Sequence, residues 1–493
     1  MPASLAYKAF TAEQVHQHEV TAAKHVGISM YELMERAGAA AFVTLQSEFP
    51  QARRILVLSG HGNNGGDGFV LARMAKKAGL KVCLVSLGDQ SKFSPDTLQA
   101  CNNWQQAGGE ISCWPQPLAD FDLIVDAMLG TGTKGQLREP YASVIKVLKN
   151  TDIPVLSLDV PSGLLADSGA EAGIALTATH TLTFVGIKPG LVTGQGKQFS
   201  GKLSFADLGI AESFGALATP SAHIVDFTQL SPLPARPLNS HKGAFGRLLC
   251  LGGNLGMPGA IRLTGEAALR TGAGLVNVLC HPDNQMLVGL GRPELMLAQQ
   301  NQLTALLDWA SCLVLGPGLG QDDWAQQLFD AVLTYQQTSH KPLLLDADAL
   351  NLLAKVPRKL SCNVVITPHP GEAGRLLSIT TQQVQADRYA ALQQLQQQYQ
   401  CHVVLKGAGS LVSGQDHCYV ISNGNPGMAI PGMGDLLSGV IGALMAQGMD
   451  SAAAAVYGAS LHAAAGDLAA QQHGERGMMA SDLLPFIRKL VNR

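Results

Sequence analysis

The chain has 493 residues, too many for a single hydrophobic core, so two domains or more are expected. Its 34 basic and 37 acidic side chains leave a net charge of −3 with no basic run, which argues against a nucleic-acid partner. Nine cysteines are scattered without a C-x-x-C pair, as suits buried thiols in a reducing cytosol, and a cytoplasmic location is expected.

In chain order, residues 1–50 are expected to be helical. Ala12 to Val26 comes first, then a run to Phe49 with Ser29 as cap and Glu32 at the capping-box spacing. The opening twenty residues lack a basic start followed by an apolar core, so no signal peptide is expected. After Arg53-Arg54, ILVLSG reads as a buried parallel strand. The loop GHGNNGGDG (Gly60 to Gly68), the helix FVLARMAKKAG and a second strand, KVCLVSL, complete a β-loop-α-β opening. Further strands are predicted at Phe121 to Met128, Ile153 to Val160 and Thr181 to Val185. This alternation implies a doubly wound sheet whose ligands sit at the carboxyl ends of the strands.

Gly60, Gly62 and Gly65 satisfy G-x-G-x-x-G, with Asp89 about twenty residues on as a ribose acid. Asn63, Asn64 and Asp67, however, crowd that loop with amides and a carboxylate where a pyrophosphate needs bare backbone. Two more strand ends carry oxygen-rich loops, one starting at Asp126 (DAMLGTGT) and one at Asp159 (DVPSG). Turn chemistry explains one such loop. Three at successive strand ends, bearing Asn64, Asp126 and Ser162, point to a site for a hard cation.

Together GHGNNGGDG, DAMLGTGTKG and SLDVPSGL resemble the NAD(P)H-hydrate epimerase domain over roughly residues 1–215. The resemblance implies that Asn64, Asp126 and Ser162 hold a potassium ion. It implies a substrate pocket made of Asn63, Asn64, Gly65, Gly66 and Asp67, of Gly130, Thr131, Gly132, Thr133, Lys134, Gly135 and Gln136, and of Asp159. Asp159 is then the catalytic acid/base during inversion at the hydrated carbon. A dinucleotide-binding or scaffold module without catalysis is the alternative for this half.

Between Thr219 and Gly243 prolines at 220, 232, 234 and 237 break the pattern, which reads as a semi-rigid connector with an entry strand. The domains are therefore expected at 1–218 and 219–493. A second α/β alternation follows, with strands at Arg247 to Leu251, Leu275 to Leu279, Cys312 to Leu315, Leu343 to Leu345, Val364 to Thr367 and Val403 to Leu405. Helices are predicted at Gly259 to Thr271, Trp324 to Thr338 and Thr381 to Gln400, and a hairpin turning at Ser413 to Asp416. The stretch Ala452 to Ala470, broken by His462 and Asp467, reads as a packed helix rather than a membrane span.

Polar loops again follow the strands: GGNLGMPGA (252–260), GPGLG (316–320), LDADAL (345–350), TPHPGE (367–372) and KGAGS (406–410). Lys406 is either a phosphate ligand or the structural end of a strand. His369, held between two prolines, is either a substrate contact or a turn residue. Asp346 and Asp348 read as caps. In NPGMAIPGMGDLLSG (Asn425 to Gly439) glycines strip both sides of one acid, Asp435, ahead of an apolar helix. A bare helix start favours anions. A carboxylate there makes sense as a base acting on a hydroxyl that meets a phosphoryl group, or as an ordinary N-cap.

From about residue 235 onward these loops resemble the ribokinase-like superfamily, and within it the ADP/ATP-dependent NAD(P)H-hydrate dehydratases. The resemblance makes Asp435 the catalytic base, with Lys406, Gly407, Ala408, Gly409, Ser410 and Gly434 on the nucleotide. Ala260, Gly318, Gly320, His369 and Asp435 then contact substrate. Met433 departs from a common Thr, so a phosphate contact there has to come from backbone. The implied architecture is an N-terminal Rossmann-like and a C-terminal ribokinase-like three-layer α/β sandwich. The implied activity is NAD(P)H-hydrate epimerisation plus ADP-dependent dehydration of the S hydrate, with K+ in the first domain and Mg2+ with ADP in the second. The partners expected are the hydrates of NADH and NADPH, ADP and further copies of the chain, with neither nucleic acid nor membrane. A vitamin-precursor kinase fused to a dinucleotide-binding module is the alternative reading.

Overall fold

Thr11 and Ser29 open the first two helices, Ala12–His25 and Met30–Glu48, each through a capping box with Gln14 or Glu32. The computed structural model describes residues 5–414 and 417–493. They divide into two compact units, with the division between His223 and Ile224.

In the first unit seven parallel strands lie in the spatial order Ile111–Ser112, Lys81–Ser86, Arg54–Ser59, Leu123–Ala127, Val155–Leu158, His180–Phe184, Lys202–Ala206. Leu56, Leu58 and Ile124 face Val144, Ile145 and Leu148 of the helix Tyr141–Leu148. Ile55, Val57 and Val125 face the other way, against Phe69, Val70 and Ala72 of the helix Asn63–Lys77. With both strand faces buried, the sequence shows continuous apolar runs instead of alternation, and the unit is a three-layer sandwich.

Strand order reverses between Arg54–Ser59 and Leu123–Ala127, the point at which such sheets open a crevice. There Gly60 N–H donates to Ala127 O at 3.0 Å. A Cβ on Gly60 would lie 1.8 Å from Met128 O, so only glycine fits this approach. The helix starts at Asn63 with Gly62 as its cap, so Asn63 to Gly68 form the first turns of a helix and not a loop. The glycines are there for packing: a Cβ on Gly65 would meet Gly60 O at 2.2 Å.

In the second unit parallel strands run in the order His402–Leu405, Val364–Ile366, Leu343–Leu345, Cys312–Leu315, Arg247–Leu251, Leu275–Leu279, Met296–Ala298. An antiparallel hairpin, Leu411–Ser413 with Cys418–Ile421, extends the edge beside His402–Leu405. Two residues of its expected turn, Gln415 and Asp416, lie outside the described residues. The helix Met433–Ala446 crosses one face against Leu248, Val314 and the helix Pro258–Thr271. That crossing is close, since a Cβ on Gly439 would lie 2.1 Å from Thr264 O. The reversal here falls between Arg247–Leu251 and Cys312–Leu315.

The expected helix Thr381 to Gln400 is two helices, Thr381–Ala386 and Arg388–Tyr399. Asp387 leaves helical geometry (φ −149°, ψ 89°) and its carboxylate caps the second through Ala390 N–H, which ends the first. Ser451–His473 is the long Ala-rich helix, and no helix among the described residues is long and apolar enough to cross a membrane.

Candidate active sites

The crevice of the first unit is a cleft of about 540 Å³ at the reversal point. Asn63, Asn64, Asp67, Gly130, Thr131, Gly132, Thr133, Lys134, Gln136 and Asp159 line it. Gly65, Gly66 and Gly135 do not; the first two are buried in helix packing and Gly135 turns the loop at φ 64°. Asp89 is also absent from the wall, because it caps the turn Gln90–Lys92 and faces solvent beside Lys92.

Asn64, Asp126 and Ser162 meet at one side. Ser162 Oγ donates to Asp126 Oδ1 at 2.6 Å, and Ser162 N–H and Ser157 Oγ donate to Oδ2 at 2.8 and 2.9 Å. Leu129 links the trio: its carbonyl accepts from Asn64 Nδ2 at 3.0 Å and its N–H donates to Ser162 Oγ at 3.0 Å. Asn64 Oδ1 is buried with no hydrogen-bond partner, an acceptor left over in a cluster of oxygens. Burial raises the Asp126 carboxyl, and the bonds from Ser162 and Ser157 work against that rise. No group of three His, Cys, Asp or Glu side chains able to hold a metal occurs among the described residues, so a cation site here rests on amide, hydroxyl and a single carboxylate.

Asp159 follows the strand Val155–Leu158 in left-handed backbone (φ 65°), which Asp tolerates better than most residues. Its Oδ1 accepts from Lys188 Nζ, from Thr183 Oγ1 at 3.2 Å and from Phe184 N–H at 3.3 Å. Lys188 is fully buried, yet no sequence signal marked this single Lys after a strand. Glu19, on the first helix, also lines the cleft and was equally silent in the sequence. Burial lifts its carboxyl to about 7, with Lys188 opposing and Asp159 adding to the rise. Asp67 is pushed well up by burial and by its neighbours Asp159 and Glu19.

In the second unit Asp435 is the third residue of the helix Met433–Ala446, and Gly432 is the cap. The N-cap reading of Asp435 is therefore wrong: the glycine-rich turn ends three residues earlier than a capping Asp would need. Burial lifts its carboxyl to about 7, Asp346 adds to the rise and Lys406 opposes it. A Cβ on Gly434 would lie 3.2 Å from Lys406 Nζ and 3.6 Å from Asp346 Oδ2. Asp346 is not a cap either: it accepts from Ser438 Oγ at 2.8 Å and pairs with Lys406. Lys406 Nζ is also 3.7 Å from Glu372 Oε2, so its charge points at carboxylates. Three carboxyls thus surround one ammonium, and Glu372 too rises to about 7, mainly through burial.

The remaining loops converge beside this cluster. Gly253 N–H donates to Pro317 O at 3.0 Å and Asn254 N–H to Gly318 O at 2.7 Å. A Cβ on Gly318 would lie 3.1 Å from that of Ala260, and Thr264 Oγ1 donates to Asp435 O at 3.0 Å. Ala260, Gly318 and Asp435 are therefore one neighbourhood, while Gly320 lies beside Asn254 and donates its N–H to Asp348 Oδ2 at 2.9 Å. Gly407 and Ser410 close the KGAGS turn on themselves, Ser410 Oγ donating to Gly407 O at 3.0 Å. His369 caps the helix Pro370–Leu377, its Nδ1 accepting from Gly371 N–H at 3.0 Å, with the ring half exposed. Burial and Lys406 hold that imidazole below its usual range, which keeps Nδ1 an acceptor.

Two α/β units, each with a cluster of carboxyls and a buried lysine paired to one of them at the carboxyl ends of its strands, define a two-site enzyme. Residues 30–190 match the family model described as YjeF-related protein N-terminus, and residues 248–489 match NAD(P)H-hydrate dehydratase. The bifunctional NAD(P)H-hydrate repair enzyme Nnr of Escherichia coli strain K12 is 45% identical over 502 aligned residues, covering 100% of this chain and 95% of that protein. The enzyme of the same name from Coxiella burnetii is 44% identical over 472 residues, covering 94% of this chain and 96% of its own length. A solved structure of ADP/ATP-dependent NAD(P)H-hydrate dehydratase from Bacillus subtilis, co-crystallized with ATP/Mg2+, is 31% identical over 53% of this chain and 94% of that one, with a TM-score of 0.48. The chain belongs to the family of bifunctional NAD(P)H-hydrate repair enzymes.

Proposed function

We propose that the first domain, residues 1–218, interconverts the R and S hydrates of NADH and NADPH, and that the second, residues 219–493, dehydrates the S form at the expense of ADP. The observation that carries this reading is Asp435, a half-buried carboxyl lifted to about 7 in the first turn of a helix stripped of side chains. A base of that strength is matched to taking a hydroxyl proton at neutral pH. The freed oxygen attacks the terminal phosphoryl of the nucleotide while the N–H groups of residues 433–435 face the developing charge. The phosphate ester then leaves with the C–O bond electrons, the neighbouring carbon loses a proton, and the reduced ring is restored.

Lys406 to Ser410 and Gly434 are proposed for the nucleotide, and Ala260, Gly318, Gly320 and His369 for the hydrate. Magnesium with nucleotide phosphates suits the excess of carboxyls over ammonium at Asp346, Glu372, Asp435 and Lys406. Asp346 and Glu372 would hold it, and it would supply charge neutralisation to the phosphoryl group. In the first domain the unpartnered Asn64 Oδ1 supports a potassium ion held with Asp126 and Ser162. That ion would supply a fixed positive charge near the substrate. Asp159 is proposed as acid/base. The nine cysteines are all unpaired, which supports a reducing, cytoplasmic setting.

The test is to incubate mixed hydrates with the protein and ADP, following reduced-nicotinamide absorbance and phosphate together. Full recovery with free phosphate and AMP supports both activities. Phosphate fixed on an organic product, with no recovery, supports a small-molecule kinase instead.

A further inference from the structure

Inversion at a carbon bearing a hydroxyl needs two proton carriers, one for the departing oxygen and one for the water that arrives on the opposite face. Asp159 meets only half of that need. Lys188 Nζ gives its protons to Asp159 Oδ1, to Thr183 Oγ1 at 3.1 Å and to Phe184 O at 2.9 Å, so none is left for a ligand. Lys188 Nζ, Thr183 Oγ1 and Phe184 N–H all donate to Asp159 Oδ1, so the forward step needs a second group to bring the proton. The other Asp159 oxygen faces the cleft: a Cβ on Gly130 would lie 3.5 Å from Oδ2.

Glu19 supplies what is missing. Val15 and His16 lie four and three residues before Glu19 on the helix Ala12–His25, on its side of the helix, and all three line the cleft wall. No protein group among the described residues hydrogen-bonds the Glu19 carboxyl; the nearest ring nitrogen on its own helix is His16 Nδ1, 3.8 Å away. We propose that Glu19 is the second acid/base group of this cleft, working as the proton donor opposite Asp159. The proposal rests on the epimerase reading of the first domain.

The step balances without any oxidant. The hydroxyl C–O bond breaks, and its electron pair leaves as water with the Glu19 proton. The ring nitrogen lone pair fills the vacancy at carbon. Water then forms the new C–O bond on the opposite face and passes its proton to Asp159. The reverse turnover exchanges the two roles.

Burial lifts Glu19 to about 7, so a substantial share of it keeps its proton near neutral pH. The groups that face it are His16, Lys188, Asp159 and Asp67. Asp67 is the competing donor, because it too is buried in this wall and pushed upward.

The experiment uses the full chain and purified S hydrate, with R-hydrate formation measured from pH 5 to 9 for wild type, Glu19→Gln, Glu19→Asp and Asp67→Asn. In wild type the rate should fall on the alkaline side as the donor loses its proton. Glu19→Gln should lose roughly 10²–10⁴-fold in rate and lose that alkaline fall, while binding the hydrate as before in a direct titration. Glu19→Asp should recover part of the rate and the fall with it, which shows that a carboxyl, not the fold, was missing. Wild-type rate in Glu19→Gln overturns the proposal, and so does an alkaline fall that survives there but vanishes in Asp67→Asn. No exchange in the wild type at any pH overturns the epimerase reading and this proposal together.

Discussion

Lys406 and Asp346 form a buried ion pair, Nζ to Oδ1 at 2.7 Å, with side chains 19% and 2% exposed. Burial works against the ammonium, but Asp346 and Glu372 outweigh it and hold the Lys406 pKa above its usual value. The pair therefore fixes the charge beside Gly434 and Asp435. Breaking a buried pair from one side leaves an uncompensated charge, at a cost of about 3–5 kcal/mol. Lys406→Met should lose that much stability at pH 8, as measured by denaturant unfolding. At pH 5 the loss should shrink, because the carboxyls left behind take up protons. An unchanged unfolding midpoint at both pH values would contradict this view of the cluster.

The pH dependence of dehydration follows from Asp435. Its pKa is raised from 3.8 to about 7, so the base form appears only as pH climbs through that value. The rate should rise across pH 6–8 and level off above. Stability should run the other way. Between its unfolded and folded pKa values the native state binds the extra proton, so this carboxyl destabilises the fold progressively as pH rises from about 4 to about 7. Asp435→Asn should therefore melt higher than wild type at pH 8 and no higher at pH 4. Thermal scans at the two pH values check this.

Asp126 is the one charged oxygen donor of the candidate cation site, fully buried and held by Ser157 and Ser162. Asp126→Ala should abolish most epimerisation and any dependence on potassium, while dehydration of pure S hydrate continues. Following the two reactions separately on one preparation distinguishes this from general unfolding. Epimers that equilibrate at the normal rate in the variant would remove the cation from the mechanism.

Fragments 1–218 and 219–493 should each keep one activity, because the prolines at 220, 232, 234 and 237 mark a connector with little regular structure. The cut does remove a short pairing of Lys8 and Ala9 with His223 and Ala222, so the first fragment should melt slightly lower. Folded but inactive fragments would contradict independent domains.

What could be read in advance depended on whether many residues or one carried the signal. The strands were legible because both faces are buried and the runs are apolar, as in the middle of Arg54–Ser59 and throughout Cys312–Leu315. The start at Asn63 was not, since six residues with three glycines look like a loop until a neighbouring backbone is seen to need the space. Asp346 read as a cap because its partner, Lys406, lies sixty residues further on. Glu19 and Lys188 gave no sign at all. Each is an ordinary residue type in an ordinary local setting, and only the fold brings them to Asp159.

The most direct measurement is turnover of the S hydrate by Asp435→Asn, with epimerisation assayed in the same sample. Asn keeps the shape but accepts no proton, so dehydration should fall by roughly 10²–10⁴-fold. Nucleotide binding should hold or tighten as a negative charge beside the phosphates is lost, and epimerisation should be untouched. Wild-type dehydration with Asn at 435 would contradict the account at its centre.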